Sequence, residues 1–210
     1  PQPCALYNGD LMSTQPLTLE ALRERHGERH KWLALATVMV GAMASFMSST
    51  IVNVAVPEMS RHFSLGQERA QWIAAAFMVA MLPALSITPW LLARYGLRRT
   101  YSGAILLLMA GGLVGGFSPD FNLLIAMRAV EGIAAGILQP IPSIVILRAF
   151  PRTEQGSAMG IYGLGVVLAP ATGPTLGGVL VETFGWQSIF FVVIPFGLVA
   201  LACARRWLPM

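Results

Sequence analysis

Residues 126–140, AMRAVEGIAAGILQP, set an arginine and a glutamate three positions apart inside an otherwise apolar run. On a helix that spacing puts Arg128 and Glu131 on one face, with Ala135 and Gln139 continuing the stripe. Ionisable groups surrounded by lipid are costly and mark an ion or substrate path by default. A carboxyl group whose proton affinity depends on a neighbouring guanidinium has the makings of a proton-exchange site. The plainer reading is a structural ion pair that fixes helix packing, but a span needs no such pair merely to fold.

A second polar set lies in residues 45–57, SFMSSTIVNVAVP. Ser45, Ser49 and Asn53 recur every four residues and share a face. Ser48 falls roughly 24 Å along its helix from Trp32, and Arg128 roughly 10 Å along its own from Phe121, at 1.5 Å per residue. The two helices run in opposite directions, so both positions lie in the same outer third of a bilayer. A polar cluster that joins them is geometrically open, although helix-to-helix hydrogen bonding explains the serines nearly as well.

The third unusual stretch is LAPATGPTLGG, residues 168–178. Pro170 and Pro174 are four apart, as are Gly173 and Gly177. Proline removes backbone donors and glycine weakens a helix, so the pattern predicts a bent helix with a bare strip for close approach of a neighbour.

The elements that must carry these groups follow from composition. The chain is 55% hydrophobic and 11% charged, against roughly 25% charged in soluble domains. Its apolar residues come in six blocks, near 32–56, 71–92, 100–117, 121–146, 157–181 and 186–204, and about 20 apolar residues cross a bilayer. An all-α membrane protein of six spans is expected. Eleven of the 14 Lys and Arg residues lie before the first span or after the second, fourth and sixth; Arg61 and Arg69 are on the other side, and Arg128 is inside a span. Positive-inside bias puts both ends in the cytoplasm and makes the basic balance a matter of orientation, not nucleic-acid binding. Residues 1–31 read as a cytoplasmic tail ahead of a six-span domain, 32–210. Met12 is a plausible natural start, so 1–11 is expected to be upstream or non-native sequence. His26 and His30 sit at i, i+4 without a third ligand, so a solvated helix face is expected, and Cys4 and Cys203 fall on the reducing side. The three histidines lie outside the spans, and no G-x-S-x-G or H-E-x-x-H occurs, which argues against an intramembrane enzyme.

With these residues in place the sequence resembles the N-terminal half of a major facilitator transporter, of the 14-span drug/proton antiporter (EmrB/QacA) type. GPTLGG at 173–178, preceded by Gly160, is similar to that family's fifth-span antiporter motif, with Ala169 in place of its middle glycine. TIVNVAVP at 50–57, RAVEG at 128–132, FGWQSIFFVVIPFG at 184–197 and LLARYGLRR at 91–99 resemble its signatures in the first span, the fourth, the entry to the sixth, and the loop after the second.

The resemblance implies two three-helix inverted repeats, a second six-span domain beyond Met210 and two further spans between the halves, so a fragment is expected. It implies export of hydrophobic or amphipathic compounds from a bacterial inner membrane, driven by the proton gradient without a cofactor. A periplasmic adaptor and an outer-membrane channel would be partners in a didermic cell. Arg128 and Glu131 would supply charge for coupling, and Ser48, Ser49, Asn53 and Gln139 would line the polar side of the cavity. Gly160, Pro170, Gly173, Pro174, Gly177 and Gly178 would form a rocking interface that faces the absent half. Arg94, Gly96, Arg98 and Arg99 belong to the loop motif. Three departures stand out. Ser48 replaces the usual first-span aspartate, and Glu131 replaces the usual fourth-span glutamine, as though the acid had moved between helices at one depth. Ala93 and Pro89 replace the loop motif's usual acidic or polar residue and its glycine, leaving its gating salt bridge without the customary acid. A small-solute importer of the same superfamily and a six-span module without transport are the rival readings.

Overall fold

The structure, a computed structural model, describes residues 29–208. Residues 1–28, which hold the expected tail with its 1–11 stretch and His26, lie outside the described residues, as do 209–210. The helices are α1 (Arg29–His62), α2 (Gln67–Tyr95), α3 (Leu97–Gly116), α4 (Phe121–Leu138), α5 (Ile141–Ala149), α6 (Arg152–Phe184), α7 (Ser188–Phe191) and α8 (Val193–Trp207).

Two spans are split, each beside proline. α4 and α5 form one crossing, Phe121–Ala149, interrupted at Gln139 and Pro140, where Pro140 and Pro142 cannot donate to the helix ladder. α7 and α8 form another, Ser188–Trp207, interrupted at Val192, where Pro195 leaves the Phe191 carbonyl without its usual donor. Among the described residues, five segments are long and apolar enough to cross a membrane. The expected third span, α3, is the exception by composition: Arg98 and Arg99 open it and five glycines dilute its apolar part. Its 20 residues still reach about 30 Å, the thickness of the hydrocarbon layer.

The arrangement of neighbours is interlaced. α1 packs chiefly on α6 and α8, whereas α4 packs chiefly on α2 and α3. Each set of three spans thus gives its first helix to the second and third helices of the other set, as two interlocked repeats do. α1 and α4–α5 bury 61% of their most apolar windows, against 22–33% for α2, α6 and α7–α8, so these two crossings are central. The repeats also share a turn. Gly96 ends α2 at φ 77°, ψ 167° and Gly185 ends α6 at φ 80°, ψ 171°, a backbone that glycine adopts without Cβ strain.

Aromatic rings gather at both ends of the bundle, as at membrane–water boundaries. At one end Phe63 stands 5.6 Å from Trp186 and 6.4 Å from Phe121; at the other Trp32 meets Phe150 edge-on at 5.0 Å. Lys31 at that second end pairs with Glu154 at 2.6 Å and tethers the start of α1 to the start of α6.

Candidate functional site

The charged pair predicted from spacing sits at the centre of the bundle. Arg128 is 1% exposed and Glu131 fully buried, with Arg128 Nη1 donating to Glu131 Oε2 at 2.5 Å. Three more groups from two helices hold the guanidinium. Nε donates to the Ile73 carbonyl of α2 at 3.2 Å, and Nη1 reaches Ser48 Oγ of α1 at 3.4 Å. The Phe77 ring of α2 lies 4.5 Å from Cζ, a cation–π contact that gains weight when water is excluded. The expectation that Ser48 and Arg128 meet at one depth therefore holds: three spans converge on one cation.

Glycine makes the convergence possible. A Cβ on Gly132 would collide with the Phe77 carbonyl, and one on Gly136 with the Met81 carbonyl, so α2 and α4 meet backbone to backbone. Thr88 Oγ1 adds a bond across this seam to the Gly136 carbonyl, 3.2 Å. On the other flank a Cβ on Gly111 would stand 2.7 Å from Glu131 Cγ, so α3 is equally close. Sequence reasoning missed Ile73, Phe77, Thr88 and these glycines. The Gly132-x-x-x-Gly136 spacing was the available signal for the α2–α4 contact. The Ile73 carbonyl left no sequence signal, because every residue carries one.

The remaining first-span polar residues do not join the cluster. Ser45 is buried, but its hydroxyl donates back to the Ala42 carbonyl at 2.8 Å. Ser49 is half-buried and donates to the Phe46 carbonyl at 2.6 Å, and Asn53 is exposed. The common face expected for Ser45, Ser49 and Asn53 thus rotates away from Arg128, which meets Ser48 instead. Gln139 lies at the α4–α5 break, about 16 Å along the helix from Arg128 at 1.5 Å per residue, and its backbone carbonyl accepts from Tyr162 Oη at 2.8 Å.

The fifth-span motif needs a correction. Gly173 and Gly177 do not await a missing partner. A Cβ on Gly173 would strike Thr50, and one on Gly177 would stand 2.7 Å from Ile51 Cγ1, both on α1. They extend a row of small buried residues, Gly165, Ala169, Gly173 and Gly177, whose four-residue period keeps it on one face against α1, where Gly165 meets methionines and Gly173 and Gly177 meet β-branched side chains. Pro174 and Gly160 are exposed, Pro170 and Gly178 half-buried, and a Cβ on Gly160 or Gly178 would meet nothing within 4 Å. The helix continues unbroken through both prolines. In the loop motif Gly96 forms the α2–α3 turn, while Arg94, Arg98 and Arg99 make no ion pair among the described residues.

Two interlaced three-span sets with a buried ion pair where they cross make up a multi-pass membrane protein. The chain belongs to the Major Facilitator Superfamily, whose family model matches residues 38–210. Among its relatives, the uncharacterized MFS-type transporter YcnB of Bacillus subtilis is 35% identical over 167 residues, 80% of this chain and 35% of that protein. The riboflavin transporter RibZ of Clostridioides difficile is 29% identical over 181 residues, 86% and 40%. The multidrug resistance protein Stp of Mycobacterium tuberculosis is 33% identical over 174 residues, 82% and 32%. The chain therefore spans about a third of the length of these relatives. Among solved structures, the D-xylose–proton symporter superposes with a TM-score of 0.72 at 13% identity, over 83% of this chain and 47% of that one, a likeness of fold.

Proposed function

We propose that this chain is the N-terminal six-span part of a proton-driven exporter of hydrophobic or amphipathic compounds in a bacterial inner membrane, with its N-terminus in the cytoplasm. The observation that carries the reading is the Arg128–Glu131 pair buried where three spans meet. A transporter gains from such a pair because taking up one proton changes the charge of its centre; a scaffold gains little from burying charge that apolar packing replaces at no loss. Glu131 takes the coupling role that the first-span acid has in the resembling family, and Ser48, in the acid's usual place, steadies Arg128. The relative named as a multidrug resistance protein supports the substrate class. A second half, two further spans, a periplasmic adaptor and an outer-membrane channel belong to the same proposal.

The test uses the full-length protein in vesicles carrying a lipophilic cationic dye. An imposed pH difference drives the dye against its own gradient, and Glu131→Gln abolishes this while dye binding persists. Undiminished proton-driven movement by Glu131→Gln overturns the coupling role. The relative named as a riboflavin transporter favours a second reading, a carrier for one aromatic solute; saturable transport of riboflavin without competition from dyes would establish it.

A further inference from the structure

A groove of about 270 Å³ opens on the surface of the bundle between α2, α3 and α4, and shares no residue with the Arg128–Glu131 pair. One wall is Leu91 and Tyr95, in the last turns of α2. The other is Arg99, Gly103 and Leu107, every fourth residue of α3 and therefore one face of it. Ile137 of α4 completes the lining. At Gly103 the second wall is bare, since a Cβ there would meet nothing within 4 Å.

The polar groups lie at one end. From Arg99 to Leu107 the groove runs about 12 Å at 1.5 Å per residue, and it passes from a guanidinium and a phenol to carbon alone. Thr100, beside Arg99, spends its hydroxyl hydrogen on the Leu91 carbonyl at 3.2 Å. A charged head followed by an apolar body is the pattern of an amphiphile. We propose that the groove binds one anionic glycerophospholipid of the surrounding membrane. Its phosphate sits at Arg99 and Tyr95, and the upper part of one acyl chain lies along Gly103 and Leu107.

Charge, depth and width all point to that occupant. Arg94, Arg98 and Arg99 crowd this end of the bundle and make no ion pair among the described residues. No carboxylate lines the groove, so the ammonium of a zwitterionic headgroup would meet cations and no acid. A basic pocket between spans favours a net anionic headgroup, and the guanidinium fork suits phosphate. Trp90 and Tyr95 are exposed and stand edge-on at 6.3 Å, as aromatic side chains do at headgroup level. A helix with its side chains is about 10–12 Å across, too wide for this groove, whereas an acyl chain is slender. The site stands apart from the coupling role given to Glu131 and involves no proton transfer.

The experiment titrates delipidated full-length protein in detergent and counts bound molecules by native mass spectrometry. The probes are phosphatidylglycerol, phosphatidylethanolamine and glycerol 3-phosphate. Wild type should retain one phosphatidylglycerol, and Arg99→Gln should weaken that retention about fivefold, the worth of one basic residue beside an anionic headgroup. Arg94→Gln removes the same charge from the same end but outside the groove, and should retain the lipid as wild type does. Gly103→Leu fills the groove without changing charge and should abolish retention. Thermal unfolding gives a second readout: phosphatidylglycerol should raise the midpoint of wild type and of Arg94→Gln, and leave that of Gly103→Leu unmoved. Equal losses in Arg94→Gln and Arg99→Gln would mean a diffuse attraction to anionic lipid and overturn the site. Equal retention of phosphatidylethanolamine, or displacement by the chainless glycerol 3-phosphate, would overturn it too. So would a protein that retains no lipid and that Gly103→Leu destabilises, a result that gives the groove to side chains of the second half.

Discussion

Two glycine-lined seams hold the central helices, and they are built differently. Between α2 and α4, Gly132 and Gly136 stand against the Phe77 and Met81 carbonyls, so backbone meets backbone. Between α1 and α6, Gly165 rests on Met39 and Met43, and Gly173 and Gly177 on Thr50 and Ile51, so glycine meets side chains. Peptide atoms have no rotamers and yield little, whereas the methionine ends at Gly165 can turn aside; the β-branched Thr50 and Ile51 at Gly173 and Gly177 are stiffer. The charge lies at the unyielding seam, where Arg128 binds the Ile73 carbonyl and stacks on Phe77. The difference teaches that the bundle fixes its charged centre on one flank and, at Gly165, keeps an adjustable contact on the other.

The largest expected effect breaks the charged flank. Arg128→Leu strands the buried Glu131 carboxylate and should cost about 3–5 kcal/mol, read as loss of folded protein and thermal stability in detergent. Adding Glu131→Leu should restore most of that stability without restoring proton-driven transport. Recovery of both would reduce the pair to a packing device.

Next comes the contrast between seams. Gly132→Ala has no side chain to displace and should cost about 1–3 kcal/mol, the usual range for overpacking. Gly165→Ala, facing the Met39 methyl at 3.2 Å, should lower the unfolding temperature much less. Equal losses would erase the distinction between the two contacts. A smaller effect sharpens it: Thr88→Val removes the bond to Gly136 and should cost about 0.6 kcal/mol, the average for hydrogen bonds between membrane helices.

The smallest effect on stability is expected at Gly178→Ala and Gly160→Ala, where an added methyl touches nothing. Transport assays on the same variants carry the information. A loss of transport at unchanged stability would give these two motif positions a role against the second half, while unchanged transport would leave the motif's work to the α1 seam.

Much of this was legible in the sequence because it rests on period and charge. Hydrophobic block lengths give the crossings, and three-residue spacing gives the Arg128–Glu131 pair. Rise per residue alone placed Ser48 and Arg128 at one depth. What period does not carry is azimuth, the direction in which a helix turns its polar stripe once packed. For that reason the face that carries Ser45, Ser49 and Asn53 does not coincide with the one that meets Arg128 through Ser48, and the Gly173–Gly177 strip, expected to face an absent domain, is covered by α1. A backbone participant such as the Ile73 carbonyl is illegible for a simpler reason: its chemistry is common to every residue.

The interlaced neighbours also set an order of assembly. Synthesis delivers α1 first, yet its main companions, α6 and α8, emerge at the far end of the chain. α4 finds α2 and α3 already made and can close the charged flank on arrival. The first crossing must wait in the lipid until the last has been inserted, which is the kind of long-range closure that slows folding. A chain halted after three crossings would leave its first helix without the neighbours that cover most of it.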